Sequence, residues 1–173
     1  HGPDGAVFVS SRFDGQVYRV GRDNSTELFA SDLGVATGLA FGPDNALYVG
    51  DRSGTIFRVG ADGTPESFAT LPASIAAYHL AFGPGGNLYV SAPTLASRDR
   101  IYRITPDRLV DQLGAGFGRP QGLAFDAAGA LYVVEALAGS AGLYRLDVST
   151  PDARPELVLA ALSLVGLAFD PAG

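Results

Sequence analysis

Cysteine is absent from this sequence of 173 residues, and so are methionine, tryptophan and lysine. Without cysteine the chain can form no disulfide, no cysteine-ligated zinc site and no thiol nucleophile. The two histidines, His1 and His79, are too few for a multi-histidine metal site within one chain. Because an initiator methionine is missing, we expect a processed product or a piece of a longer protein.

Charge is scarce as well. Charged residues make up 17% of the chain and the net charge is −6, which disfavours nucleic acid and anionic membranes as partners because both require a basic surface. No apolar run approaches the roughly 18 residues of a membrane span, so we expect no membrane insertion. Basic residues that are all arginine, together with abundant Ala, Gly and Pro, indicate a bacterial source, and we expect an extracytoplasmic or secreted location.

What the sequence does contain is an internal repeat. A turn of Gly, Pro, Asp and Asn type begins at Gly2, Gly42, Gly83, Asp126 and Asp170, so the period is about 40 to 44 residues. A period of roughly 40 to 45 residues is typical of one four-stranded blade of a β-propeller. We therefore predict a single domain of four units, 2–41, 42–82, 83–125 and 126–169, with 170–173 starting a further unit.

The units share one order of motifs. Leu-Ala-Phe precedes the turn, Leu-Tyr-Val or a close variant follows it, and a loop then leads to a strand containing Tyr-Arg or Phe-Arg and to a more polar fourth strand. The apolar runs are short and rich in β-branched and aromatic residues, which favours strands over helices. The predicted fold class is thus all-β, a propeller of four-stranded antiparallel blades. A β-solenoid is the alternative, although its rungs usually repeat at shorter periods.

The way in which the ring closes stays open. Leu167–Phe169 could supply the inner strand that the first unit lacks, which would close four blades within one chain. Alternatively, the chain is part of a larger ring, or a homo-oligomer completes the ring. The turn sequence occurs at both ends, as Gly2–Gly5 and Asp170–Gly173, which favours a segment of a longer array.

The repeated pattern Gly-Leu-Ala-Phe-Asp/Gly-Pro-x-Gly/Asn-x-Leu-Tyr-Val, followed by Ile/Val-Tyr/Phe-Arg-Val, resembles the NHL-repeat propellers and the family of senescence marker protein, gluconolactonase and luciferin-regenerating enzyme. The resemblance covers nearly the whole chain and implies a parent with about six blades. It also implies one calcium ion at the channel mouth, held in part by an Asn or Asp before the Gly-Leu of an inner strand. Those positions hold Thr37, Tyr78 or His79, Gln121 and Val165. None of these is a carboxylate, although calcium prefers several.

Ligands of propellers bind where inner strands start and second strands end, at one mouth of the channel. Asp51 and Glu135 occupy equivalent positions there. They are the candidates for metal ligands or for a pair of general bases, and the alternative is that they cap the loops. His79 is the one candidate for a general base, because an ordinary histidine pKa near 6.5 suits that role. The candidate ligand-binding residues at the mouth are Arg12, Thr37, Asp51, Arg52, Tyr78, His79, Arg119, Gln121 and Glu135.

Three functional hypotheses follow. The first is a non-catalytic propeller that binds a small molecule or a protein at its mouth and requires no cofactor, because the repeats are intact while the metal carboxylates are missing. The second is a calcium-dependent lactone hydrolase of the gluconolactonase type. The third is a truncated or engineered propeller with no native activity.

Overall fold

The computed structural model describes residues 2–137 and 139–170, and it forms fifteen β-strands in four antiparallel sheets. Sheet 1 contains β1 (Val7–Ser11), β2 (Gln16–Val20) and β3 (Thr26–Ala30). Sheet 2 contains β4 (Ala36–Phe41), β5 (Leu47–Asp51), β6 (Thr55–Val59) and β7 (Pro65–Thr70). Sheet 3 contains β8 (His79–Phe82), β9 (Leu88–Ser91), β10 (Asp99–Ile104) and β11 (Val110–Phe117). Sheet 4 contains β12 (Pro120–Phe125), β13 (Leu131–Glu135), β14 (Gly142–Leu146) and β15 (Glu156–Ala160).

Each sheet is a meander in which consecutive strands pair. The first strands of three sheets, β4, β8 and β12, lie side by side, and β1 lies next to β4. This arrangement places the first strand of each complete sheet at the centre and its fourth strand at the periphery. The predicted all-β propeller built of four-stranded blades is therefore confirmed, with a first blade that has three strands.

The tight turns explain why the meanders fold locally. Asp4, Asp44 and Asp126 each accept a hydrogen bond from a backbone amide two to four residues further along their turn, at 3.0, 3.2 and 2.8 Å. Asn45 adopts a φ of 59°, a left-handed conformation that Asn tolerates better than most residues. The turn residues thus fix the hairpin between the first two strands of a unit.

A repeated aromatic contact joins each sheet to the next, and it recurs between sheet 4 and Phe169. The aromatic residue of each second strand meets the Phe of the next Leu-Ala-Phe edge to face, with ring centroids 4.9 to 5.3 Å apart. Such pairs add about 0.5–1.5 kcal/mol beyond the burial of their area. The pairs are Phe8 with Phe41, Tyr48 with Phe82, Tyr89 with Phe125, and Tyr132 with Phe169.

The hydrophobic core is divided into three clusters, each of which lies between two adjacent sheets. The middle cluster, for example, joins Ile56 and Phe68 of sheet 2 to Leu88, Val90 and Ile104 of sheet 3. A second strand can therefore be apolar on both faces, as the sequence predicts, because each face packs against a different neighbour.

The arginine that recurs in the third strands serves its own sheet. Arg19 pairs with Asp4 at 2.6 Å and with Glu27 at 2.7 Å, and Arg58 pairs with Asp44 at 2.8 Å and Glu66 at 3.5 Å. Each arginine therefore links the first turn of its unit to the third and fourth strands. These side chains are about one-third exposed, and exposed pairs contribute only about 0–1 kcal/mol each.

The end of the described chain does not close the ring. Residues 161–170 belong to no strand, and sheet 1 keeps three strands. Phe169 instead packs on Tyr132 of sheet 4, and the Gly122 amide donates to the carbonyl of Val165 at 2.8 Å. Of the alternatives that the sequence leaves open, completion of the first blade by Leu167–Phe169 of the same chain is not the arrangement in the described residues, because this segment lies against the last sheet.

Within the described residues, no helix is long and apolar enough to cross a membrane.

Candidate functional site

The channel mouth is the end of the sheets at which the first strands start and the second strands end. The loops that connect second to third strands and one sheet to the next lie on this side. The candidates named from the sequence all belong to these loops or to the adjoining strand ends. Their side chains differ greatly, however, in what they contact.

Asp51 stabilises two loops of the mouth. Its buried carboxylate accepts the Val35 amide at 2.8 Å and the Ser53 amide at 3.1 Å, and it also accepts the Ser53 hydroxyl. A Cβ atom added at Gly34 would lie 2.6 Å from this carboxylate. The position therefore needs both an acid at Asp51 and a glycine at Gly34.

Glu135 performs the same task in sheet 4. Its buried carboxylate accepts the amides of Gly118 at 2.6 Å, Arg119 at 2.8 Å and Leu137 at 2.6 Å. Hydrogen bonds between a carboxylate and backbone amides are among the strong ones in proteins. Both carboxylates therefore accept hydrogen bonds from backbone amides of the loops. This is the loop-capping role that the sequence left open as the alternative to metal binding.

A third buried carboxylate, Asp99, was missed by the sequence analysis. Ala92 occupies the position of Asp51 and Glu135 in sheet 3, and Asp99 acts from the start of the third strand instead. It accepts the Thr94 amide at 3.0 Å and the Thr94 hydroxyl at 2.7 Å. The one signal in the sequence is a threonine five residues before an acid in the loop that lacks the usual carboxylate.

Hydroxyl groups fasten each sheet to the next at the mouth. Ser10 donates to the Thr37 carbonyl at 2.9 Å, and Ser91 donates to the Gln121 carbonyl at 2.6 Å. Between sheets 2 and 3 the link is the Thr37 hydroxyl, which accepts the Tyr78 amide at 3.1 Å. Thr37 is therefore engaged in positioning the first strands.

Two further candidates, Arg52 and Tyr78, make structural hydrogen bonds to backbone carbonyls. Arg52 donates to the carbonyls of Ser74 at 3.4 Å and Ile75 at 2.9 Å, which holds the loop between β7 and β8. Tyr78 is fully buried, and its hydroxyl donates to the Pro72 carbonyl at 2.5 Å. Burial raises the pKa of Tyr78 to about 12, so its hydroxyl keeps its proton.

Arg12 and Arg119 present exposed side chains at the mouth. Arg12 lies in the loop between β1 and β2, and Arg119 lies just before β12. The backbone of Arg119 is fixed by Glu135 and by the Ala136 amide, which donates to the Arg119 carbonyl at 3.1 Å. The two guanidinium groups are thus offered to solvent from the first and last sheets.

His79 and Gln121 lie deeper, on the first strands. The register of β12 shifts between Pro120 and Leu123, and such irregularities re-aim side chains. Burial lowers the pKa of His79, and the neighbouring Gln121 side chain partly opposes this shift. The imidazole is therefore neutral at pH 7. Its Nε2 atom is buried and makes no hydrogen bond of ordinary geometry with the described residues, although the Gln121 side chain is close enough to the imidazole to raise its pKa.

The His79 imidazole lines a cavity of about 310 Å³ between the first strands. Cavities that hold small ligands start at about 300 Å³. The walls come from sheets 2, 3 and 4 and from the segment at Gly166 and Leu167, and they combine leucine and glycine residues with the polar residues Thr37, Tyr78 and His79. The structure therefore gathers uncharged polar and apolar groups around one small space, while the larger candidate set at the mouth is dispersed.

Lowering the pH should destabilise the chain through His79. The unfolded chain takes up a proton near pH 6.5, whereas folded His79 takes it up at a lower pH. The contribution of neutral His79 to stability is therefore fully present above pH 6.5. It decreases as the pH falls from there towards the pKa of His79 in the folded chain. We expect melting temperatures to fall between pH 7.5 and 5.5 in the parent chain and in the His1→Gln control. His79→Gln should lose this component; an unchanged pH dependence in His79→Gln would contradict the assignment.

No group of three or more His, Cys, Asp or Glu side chains that could hold a metal ion occurs in the described part of the chain. Asp51 and Glu135 belong to different sheets, and each directs its carboxylate at backbone donors. Calcium binding by this pair stays a prediction, and the present contacts supply loop capping.

Comparisons with known proteins extend the fold assignment. A scan against family models and a search of curated sequences return no match. Solved structures do match, among them a protein of unknown function from Bacteroides thetaiotaomicron, with a TM-score of 0.77 and 16% identity over 97% of this chain and 52% of that one. A gluconolactonase from Xanthomonas campestris matches with a TM-score of 0.71 and 17% identity over 86% of this chain and 56% of that one. Virginiamycin B lyase from Staphylococcus aureus matches with a TM-score of 0.64 and 19% identity over 90% of this chain and 56% of that one.

These similarities confirm the β-propeller fold, since identities of this size carry fold alone. The chain spans a little over half the length of these three structures. Two of them are named as enzymes of different chemistry, a gluconolactonase and a lyase. One fold thus supports several activities, and the activity of this chain must be argued from its own residues.

Proposed function

We propose that this chain is a non-catalytic binding propeller that holds a small uncharged polar molecule between its first strands, beside His79. The observation that carries the proposal is the His79 Nε2 atom, which is buried without a protein partner against a cavity of about 310 Å³. A buried polar atom without a partner costs about 1–3 kcal/mol, and a ligand that hydrogen-bonds it recovers that cost.

The chemistry of the site favours a neutral ligand. His79 is uncharged at pH 7, because burial lowers its pKa, and the Gln121 amide carries no charge. The surrounding wall contains Leu39, Leu80 and Leu123, which offer a charged group no compensation. A compact molecule with hydroxyl or carbonyl groups and an apolar face, such as a sugar lactone, fits these walls.

Binding without turnover is supported by what surrounds His79. A catalytic histidine is normally oriented by a carboxylate, and the polar neighbour of this imidazole is the Gln121 amide. The buried acids of the mouth instead accept loop amides. The site therefore supplies hydrogen bonds and shape, and no proton-accepting pair.

The test uses glucono-1,5-lactone as the probe with the isotopically labelled chain. We expect the lactone to shift the imidazole resonances of His79 in a saturable way, while His1 is unaffected. His79→Phe, which fills the space and removes the nitrogen atoms, should abolish the shift, and Arg12→Ala should retain it. The absence of a saturable shift at millimolar lactone would overturn the proposed ligand class.

The same samples test the competing calcium-dependent lactonase. In a pH-stat assay we expect hydrolysis at the buffer rate, with or without calcium chloride. Calcium-dependent hydrolysis above that rate, lost in Glu135→Gln, would replace the binding proposal by the enzymatic one. Because binding and turnover are read separately, the two outcomes are distinguishable.

A further inference from the structure

Sheets 3 and 4 depart from the repeat at three places. The loop between β9 and β10 has seven residues, 92–98, whereas the corresponding loops of sheets 1 and 2 have four and three. The loop between β14 and β15 has nine residues, 147–155, whereas each of its three equivalents has five. The fourth strand β11 bulges by two extra residues, whereas β3, β7 and β15 bulge by one. The fold requires none of these additions, because sheets 1 and 2 form without them.

The nine-residue loop of sheet 4 folds against the bulged strand of sheet 3. The Gly114 amide in the bulge donates to the Pro151 carbonyl at 2.9 Å. The Asp152 carboxylate pairs with Arg100 of β10 at 2.8 Å, and Ala153 packs against the hydrophobic cluster between the two sheets. These contacts bring two of the three additions together.

The seven-residue loop of sheet 3 places Arg98 on the same bulge. A Cβ atom added at Gly116 would lie 3.2 Å from the Cβ atom and 3.4 Å from the Cδ atom of Arg98, so the arginine side chain lies along the bulge. Its Nη1 atom donates to the Gly116 carbonyl at 3.4 Å. Gly116 has a φ of 89°, a conformation that glycine adopts without steric cost. All three additions therefore meet at the bulge of β11.

A cavity of about 470 Å³ lies at this meeting point, and small-molecule sites usually measure about 300–1,000 Å³. Its apolar wall includes Phe117 and Tyr144, whose rings meet edge to face with centroids 6.1 Å apart. The charged residues that line it are Arg98, Arg154 and Glu135. Among the described residues, this cavity and the one between the first strands share no lining residue. The two cavities are therefore separate sites.

The two arginines of this cavity have no carboxylate of the protein as a partner. Five other arginines form ion pairs with Asp or Glu at up to 3.5 Å, whereas Arg98 and Arg154 form none among the described residues. The Glu135 carboxylate is occupied by three backbone amides. Two guanidinium groups against one carboxylate leave one positive charge uncompensated, in a chain whose net charge is −6.

We propose that this cavity binds a small organic acid that has one carboxylate group and a flat apolar body. A guanidinium group matches a carboxylate with two parallel hydrogen bonds, and Arg98 and Arg154 supply two such groups. The rings of Phe117 and Tyr144 offer the apolar body a wall of matching chemistry. One uncompensated positive charge favours a monoanion over a dianion. This site does not depend on the neutral ligand proposed beside His79.

Benzoate is the probe for the isotopically labelled chain, with benzamide as its uncharged isostere and inorganic phosphate at pH 8 as a dianion. We expect benzoate at millimolar concentrations to shift the amide resonances of Gly116, Gly118 and Tyr144 in a saturable way, while the imidazole resonances of His79 do not move. Benzamide and phosphate should cause no saturable shift. The absence of a benzoate shift, or equal binding of benzamide or phosphate, would overturn the proposal.

Three glutamine variants test which arginines bind the carboxylate. We expect Arg98→Gln and Arg154→Gln each to weaken benzoate binding at least tenfold, because each removes a charged donor and keeps the length of the side chain nearly unchanged. Arg22→Gln removes the same charge from an exposed turn outside the cavity and should change the affinity less than twofold. All three side chains are exposed, so circular dichroism and melting temperature should match the parent. Equal affinities in all three variants would contradict the assignment of Arg98 and Arg154.

Discussion

Tyr48→Ala should lower the free energy of unfolding by about 3–5 kcal/mol, the usual cost of removing a buried aromatic ring from a core. The ring is buried and meets Phe68 at 5.0 Å and Phe82 at 4.9 Å, edge to face in both cases. The Tyr48 ring therefore connects the fourth strand of its own sheet with the first strand of the next sheet. Chemical denaturation monitored by circular dichroism measures the change.

Two controls separate the ring from other effects of the substitution. Tyr48→Phe keeps both ring contacts and loses one hydrogen bond of 3.3 Å to Asp44, so we expect a loss of about 1 kcal/mol or less. Phe13→Ala removes an aromatic ring that is 99% exposed and should be neutral. If Tyr48→Ala were as mild as Phe13→Ala, sheets 2 and 3 would not pack as described.

The second large effect concerns Glu135→Ala, which should cost about 3 kcal/mol because three backbone amides lose their acceptor. Those amides belong to Gly118, Arg119 and Leu137, on both sides of the carboxylate. Glu135→Gln should fall between the parent and the alanine variant, since one of its two side-chain atoms donates where an acceptor is needed. Thermal and urea unfolding provide the measurement.

Glu156→Ala is the matched control, because Glu156 is an exposed acid on the same sheet. We expect it to change the stability by less than about 0.5 kcal/mol. Equal losses in Glu135→Ala and Glu156→Ala would show that the Glu135 carboxylate does not cap the mouth loops.

The fold could be predicted from the sequence because the contacts that stabilise it recur with the repeat. Every unit repeats an aromatic residue in its second strand and a phenylalanine in Leu-Ala-Phe, and the structure shows that these two residues meet between sheets. The closure of the ring could not be predicted in the same way. Leu167–Phe169 has the same sequence whether it pairs with β1 or packs on sheet 4.

The position of the candidate site could be predicted from the sequence, but the contacts of its side chains could be predicted only in part. Asp51 and Glu135 were identified by register, but the amides that they accept belong to loops and leave no mark in the sequence. Asp99 was missed because it reaches the mouth from the third strand. His79 differs from its glycine equivalents in the sequence, whereas its unpartnered nitrogen depends on packing.

The central claim is that the acids of the mouth stabilise its loops and that the ligand site lies at His79. Amide hydrogen exchange at Gly118, Arg119 and Leu137, measured by NMR with and without calcium chloride, tests it most directly. We expect slow exchange at all three amides in the absence of calcium and no change on its addition. Fast exchange without calcium, or saturable calcium-dependent protection at these amides, would contradict the claim and identify Glu135 as a metal ligand.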